Sequence, residues 1–408
     1  MKKNCIVAQS GGPTSAINAS LAGVLNAALS CGEYDTVYGS LHGIEGILKG
    51  NYKNLSYKAI QSPDFVKQLK QTPAMYLGSC RFKLPSEKND PKLYEQIFSE
   101  LDALNIGAFF YIGGNDSMDT VMKLSVYGKS INSEIRFIGV PKTIDNDLCA
   151  TDHTPGFGSA AKYVATSILE MAHDIYIYDL KSVTIIEVMG RDAGWLTAAS
   201  CLARTDYSAA PHLIYLPESP FDRDRFIDDV KKVMEEHSNV IVAVSEGIRD
   251  KDGTYISASG STLDNFGHVQ LNGAGRTLEN LVKDRLGVKV RSVEFNILQR
   301  CAEHIASATD LDESFTSGEK AVSFALEGVT GAMVIMKRSG SDPYRIEYDH
   351  ADISGIANEE KSVPTEWIVN GNDVSDAMYQ YLRPLIQGEV HPSYENGIPK
   401  YLNVSHLG

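Results

Sequence analysis

Residues 5–30 read CIVAQSGGPTSAINASLAGVLNAALS, and this stretch decides the fold class. Cys5, Ile6, Val7 and Ala8 form an unbroken apolar run of strand length, closed by Ser10, Gly11, Gly12 and Pro13, all turn formers. From Ser15 onward, apolar residues recur at three- and four-residue spacing, which predicts a helix over 15–30. The same unit returns further along: residues 107–112 are a second apolar run, ended by Gly113-Gly114 and followed by a helical pattern over 117–127. Further strands are expected at 135–140, 183–188, 213–216, 240–244 and 332–336. Helices are expected at 158–173, 194–203, 222–237, 276–286 and 298–308. Strands that are apolar throughout are buried on both faces, so the pattern predicts an α/β chain with mostly parallel sheets covered by helices, in at least two lobes.

Composition narrows the function classes. The chain has 408 residues, with 38 Lys+Arg against 52 Asp+Glu and a formal net charge of −14. That balance argues against a nucleic-acid or anionic-membrane face, both of which need basic surface. It leaves room for a small phosphate ligand, because a few local Arg and Lys dominate one pocket. Cys5, Cys31, Cys80, Cys149, Cys201 and Cys301 contain no C-x-x-C pair and read as reduced thiols. The longest apolar run, residues 106–114, is far below the ~18–20 residues of a membrane span. A soluble, cytoplasmic protein without a secretion leader is expected.

The candidate chemistry lies at strand ends, where an open α/β sheet gathers backbone N–H groups and helix N-termini. Ser10-Gly11-Gly12 follows the first strand and Gly113-Gly114-Asn115-Asp116-Ser117 a later one. There is no G-x-x-x-x-G-K-[ST] loop, and Gly156-Phe-Gly158 does not follow a strand, so neither common nucleotide fingerprint is present. The densest cluster is Pro141-Lys-Thr-Ile-Asp-Asn-Asp147. A lysine, a hydroxyl and two carboxylates in one loop suit phosphoryl transfer, which needs a base, a cation and oxygen ligands for Mg²⁺. Composition alone leaves a solvated turn equally open.

Seven segments, in order, resemble the 6-phosphofructokinase family: SGG (10–12), LGSxRF (77–82), GGNDS (113–117), PKTIDND (141–147), EVMGR (187–191), SEG (245–247) and LQR (298–300). The resemblance implies two Rossmann-like lobes with the active site in the cleft between them. It places a phosphoryl-donor lobe at 1–156, a fructose 6-phosphate lobe at 157–298, and a segment packing back on both at 299–408. It implies that Asp145 is the general base for the sugar C1 hydroxyl, with Thr143 and Ile144 as substrate contacts. Asp147 and Asn115 are the implied Mg²⁺ ligands. Met189, Gly190, Arg191, Glu246, Arg291, Ile297, Leu298, Gln299 and Arg300 are implied sugar-phosphate contacts, and Gly12 and Arg81 donor contacts.

Asp116 and Lys142 bear on the donor. The resemblance associates glycine at both positions with ATP use, and aspartate and lysine with inorganic pyrophosphate. A carboxylate at the first position adds bulk and like charge on the path of a nucleotide α-phosphate, and a lysine on the catalytic loop can hold a phosphate that leaves as a free anion. The pair therefore implies reversible transfer from pyrophosphate to fructose 6-phosphate, in glycolysis or gluconeogenesis, by a homodimer or homotetramer. An ATP-dependent member is the alternative. A non-catalytic binding module is disfavoured, since it has no use for a positioned base such as Asp145. Three positions depart from the family pattern: Asn115 replaces a common aspartate, Lys181 near Ser182 is the local cation in place of an arginine, and Ile297 replaces a histidine or tyrosine.

Overall fold

Apolar runs with no polar interruption have no face to leave in water, and each becomes a strand covered on both sides. In the computed structural model, which describes residues 2–257 and 273–407, these runs build two sheets. Strands β1 (Lys3–Gln9), β2 (Tyr34–Ser40), β3 (Tyr52–Asn54), β4 (Ile106–Gly113) and β5 (Arg136–Pro141) belong to the first. Strands β6 (Ser182–Val188), β7 (Leu213–Tyr215), β8 (Asn239–Ser245) and β9 (Lys289–Glu294) form the second. The chain then returns to the first sheet with β10 (Ala332–Ser341) and β11 (Tyr344–Asp352).

The first sheet runs β11-β10-β5-β4-β1-β2-β3. Its five central strands are parallel, and β3 and β11 close the edges antiparallel. Strand order reverses at β1, whose neighbours are β2 and β4, so the crevice beyond the carboxyl ends of β1 and β4 is a topological switch point. The second sheet runs β7-β8-β6-β9 and is parallel throughout. The expected mostly parallel α/β architecture is therefore observed, in two sheets.

Helices cover both sheets. The helix Ile17–Ser30 buries Ile17, Leu21, Val24 and Leu25 against Ala321, Val322 and Ala325 of the helix Ala308–Leu326. The helix Phe157–Tyr176 packs on the second sheet together with Val363, Met378, Leu382 and Leu385 from the last fifty residues. The C-terminal part of the chain thus supplies two strands to one sheet and core side chains to the other.

One expected element is corrected. Residues 298–308 are not a helix: Asn296–Arg300 and Glu303–Ile305 are 3-10 turns, and the helix begins at Ala308. Ser307 accepts from Asp310 N (3.4 Å) and caps that helix. The 3-10 turns aim alternate side chains, buried Gln299 and partly exposed Arg300, at the second sheet and the cleft. Strands β2, β3, β9 and β11 are additional to those expected.

Candidate active site

The ends of β1, β4 and β5 are sewn to one another. Ser10 N donates to Ile112 O (3.0 Å) and Lys142 N to Gly113 O (2.9 Å). Gln9, wholly buried, accepts from Leu77 N through Oε1 (2.9 Å) and donates to Asn18 Oδ1 (3.0 Å), and Ser79 Oγ donates to Gly11 O (2.7 Å). These bonds bring residues 77–82, with Arg81, over the first glycine elbow. Gly11 has φ +81°, and a Cβ there would lie 3.0 Å from Lys142 Nζ, so the turn needs glycine for conformation and for space. Lys142 is buried and donates from Nζ to Gly12 O (2.7 Å). Burial pulls its ammonium down to about 8, against the opposing pull of Asp145 and Asp147.

The loop after β5 holds the acid groups. Thr143 Oγ1 accepts from Asp145 N (3.1 Å) and lies 3.4 Å from Asp145 Oδ2. Burial in the cleft floor raises the Asp145 carboxyl, while Lys142, the Thr143 hydroxyl, Arg191 and Arg300 pull it back. Burial, and then Asp145, push Asp147 up to about 7. Asn146 between them has φ +55° and turns its own side chain inward, wholly buried.

The opposite wall comes from the second sheet. Glu246 N donates to Val188 O (3.0 Å), pinning the end of β8 to the end of β6. Gly247 permits this: a Cβ there would sit 1.8 Å from Arg191 O. Glu246 accepts from Gly190 N (3.3 Å), and burial pushes its carboxyl up to about 7. Gln299 Oε1 accepts from Met189 N (3.3 Å). Arg191 and Arg300 both face the cleft, and each has a buried Nε with no hydrogen-bond partner among the described residues. Two guanidiniums with spare donors form a site for a dianion.

The cleft between these walls has a volume of about 490 Å³. It gathers Gly12, Arg81, Asn115, Asp116, Lys142, Thr143, Ile144, Asp145, Asp147, Met189, Arg191, Glu246 and Arg300. Asp116 sits at the rim, 3.8 Å from Lys83 Nζ. Gly190 and Gln299 lie behind the lining, bonded to it. The structure does not bring Arg291, Ile297 or Leu298 to the cleft of their own chain: Arg291 is exposed on β9, and the other two are each 55% exposed. Sequence reasoning missed Asn358 and Glu360, which line the cleft from the segment after β11, and Lys83, which faces Asp116. No strand end or glycine elbow marks residues 358–360.

Among the described residues, no three His, Cys, Asp or Glu side chains are grouped to hold a metal. Asn115 nevertheless has a buried Oδ1 without a partner among the described residues, while its Nδ2 donates to Glu359 O (3.1 Å). An orphaned carbonyl oxygen lining the same cleft as Asp145 and Asp147 fits a hard, oxygen-seeking cation such as Mg²⁺.

Known proteins match this arrangement over the whole chain. The phosphofructokinase family profile matches residues 4–325. A pyrophosphate–fructose 6-phosphate 1-phosphotransferase of Halomonas elongata is 41% identical, over 97% of this chain and 95% of that one. The protein of the same name from Methylococcus capsulatus is 39% identical, over 99% and 96%. The crystal structure of a pyrophosphate-dependent phosphofructokinase from Nitrosospira multiformis superposes with a TM-score of 0.88, at 38% identity, covering 98% of this chain and 96% of that one. With the two-walled cleft and these matches together, the chain belongs to the phosphofructokinase family.

Proposed function

We propose that this protein transfers a phosphoryl group, reversibly, from inorganic pyrophosphate to the C1 hydroxyl of fructose 6-phosphate, giving fructose 1,6-bisphosphate and orthophosphate. The observation that carries the reading is the place of Asp145, on the cleft floor between Lys142 and the Gly11-Gly12 elbow on one side and Arg191, Arg300 and Glu246 on the other. Relatives about 40% identical bear names with that reaction, which supports pyrophosphate over ATP.

The residues act as follows. Arg191 and Arg300 take the sugar phosphate with their spare donors, and Glu246 accepts from sugar hydroxyls, helped by Met189 on the same lining and by Gly190 and Gln299 behind it. Asp145 accepts the C1 proton as the hydroxyl attacks; Thr143 and Ile144 hold the sugar end. Gly12 and Arg81 hold pyrophosphate, and Lys142 steadies the phosphate that leaves. Asp116 narrows the donor side against a nucleotide. Asp147 and Asn115 would hold Mg²⁺, which, when bound, neutralises charge on the phosphates.

We take 1–156 as the donor lobe, 157–298 as the sugar lobe and 299–408 as a segment packing on both, supported by β10, β11 and the C-terminal core residues. A cytoplasmic homodimer or homotetramer fits the rest. Strand β9 is an open edge carrying Arg291, with exposed Ile177 and Tyr178 near its start and Ile297 and Leu298 beyond its end. Sedimentation at micromolar concentration tests the assembly. Orthophosphate release dependent on fructose 6-phosphate, measured with pyrophosphate and with ATP, tests the activity: turnover with ATP alone would overturn the donor assignment.

A further inference from the structure

The loop that carries Asp145 and Asp147 is held from behind by residues remote in sequence. Asn146 Nδ2 donates to Tyr381 Oη (2.9 Å), and Tyr381 Oη donates to Asp152 O (2.7 Å). Asn146 Oδ1 accepts from Thr154 N (3.1 Å) and from Lys361 Nζ (3.4 Å). Lys361 Nζ also donates to Asp152 O (2.9 Å) and Thr151 O (3.1 Å), and Lys361 N donates to Asp147 O (2.7 Å). The stretch from Asn146 to Asp152 is therefore tied at both ends to Lys361 and Tyr381, from the last fifty residues.

The same two residues reach the opposite wall. Trp195 Nε1 donates to Lys361 O (2.8 Å), the Lys361 ammonium lies 5.4 Å from the Trp195 ring centre, and the Tyr381 ring packs on Trp195 at 5.3 Å. Trp195 follows Arg191, Asp192 and Ala193, all of which line the cleft. Arg338 backs the clamp, donating to Tyr381 O (3.1 Å) with its guanidinium over the Tyr381 ring.

We propose that Lys361 and Tyr381 are positioning residues for phosphoryl transfer: through Asn146 they hold Asp145 at the height the reacting hydroxyl needs, and through Trp195 they tie that height to the wall carrying Arg191. Asn146 in a left-handed conformation has one geometry that sends Asp145 and Asp147 to the cleft and its own amide to Tyr381. Freed from Tyr381, it is held only at Oδ1, by Thr154 N and Lys361 Nζ, and selects that geometry less firmly. Misplacement by about 1 Å is enough to cost about a hundred-fold in rate, without altering the groups that bind substrate. The inference rests on Asp145 being the base.

The test uses Tyr381→Phe, which removes one oxygen and leaves the ring packing, and Asn146→Gly, which keeps the left-handed backbone accessible and removes the amide. Each is expected to lower kcat about ten-fold or more, with the KM of fructose 6-phosphate and of pyrophosphate within about two-fold of the parent. The double variant is expected to match Asn146→Gly, because the amide that Tyr381 holds is already absent there. A parental kcat in Tyr381→Phe, a rise in KM at unchanged kcat, or two losses that multiply in the double variant would each overturn the proposal. Lys361→Met, which removes one donor each from Thr151 O, Asp152 O and Asn146 Oδ1, extends the test if it folds; the other two variants suffice if it does not. Asp145→Asn separates the assumptions: turnover retained there removes the base itself, whereas Asp145→Asn inactive beside a parental Tyr381→Phe removes only the clamp.

Discussion

The two walls of the cleft differ in how their cations are spent. On the first-sheet side Lys142 is already bonded to Gly12 O, and Lys83 lies beside Asp116. On the second-sheet side Arg191 and Arg300 each keep a buried Nε without a partner among the described residues. A wall whose cation is engaged holds its shape before ligand arrives and discriminates by space and like charge. A wall with spare, buried donors is destabilised until an anion satisfies it, since an unpaired buried donor costs ~1–3 kcal/mol. The first arrangement suits choosing a donor; the second suits gripping one sugar phosphate.

Asp145 belongs to neither wall, and its removal should have the largest effect. Asp145→Asn is expected to fold as the parent does and to lose ~10²–10⁴-fold in turnover in both directions, with binding of both substrates nearly unchanged. Parental turnover would remove it from the mechanism. Lys142→Gly follows: it should depress turnover with pyrophosphate more than it weakens fructose 6-phosphate, and an equal effect on both would erase the contrast between walls. Arg191→Ala and Arg300→Ala should do the reverse, each costing about 1.5–3 kcal/mol in productive binding of fructose 6-phosphate, or roughly ten- to hundred-fold in kcat/KM. If both raised only the pyrophosphate requirement, the walls would be exchanged.

The smallest effect concerns the support behind the first wall. His153 is fully buried; burial opposes its charge, but hydrogen bonds to Asp152 (2.8 Å) and Glu313 (2.7 Å) hold it up at about 9. Its folded value exceeds the unfolded value of ~6.5, so its contribution is fully present below pH ~6.5 and is lost as pH rises through about 9. In urea denaturation, the stability gap between the parent and His153→Gln should shrink by at most about 3 kcal/mol between pH 6.5 and 9.5. A gap independent of pH would show that the imidazole is neutral and that the wall is held by packing alone.

The legible parts of the molecule were those with a local signal. Apolar runs ending in glycine marked β1 and β4, and the crowded loop after β5 marked the acid groups. Residues 298–308 carry good helix formers, yet the chain turns twice there so that Arg300 meets the cleft and Gln299 is bonded behind its lining. The Ser307-Ala-Thr-Asp310 stretch held the signal for the true helix start, a hydroxyl capping the N–H three residues on. The clamp of Lys361 and Tyr381 was not legible, because its bonds from these side chains to Asn146, Thr151 and Asp152 span more than two hundred residues, with no periodicity to betray them. Arg291 lies outside the seven quoted segments, and β9 turns it outward, away from the cleft of its own chain.

The donor wall's selectivity is tested most directly by kcat/KM for pyrophosphate and for ATP, at fixed fructose 6-phosphate and Mg²⁺, in the parent and in Asp116→Gly. Two like charges ~4 Å apart repel by about 4 kcal/mol at an effective dielectric of 20, enough to exclude a competing donor. The parent should use pyrophosphate far better than ATP, and Asp116→Gly should narrow the ratio by easing ATP entry, without inverting it while Lys142 remains. A ratio unchanged by Asp116→Gly, with unchanged affinity for ATP, would contradict the account, because Asp116 would then not face the donor at all.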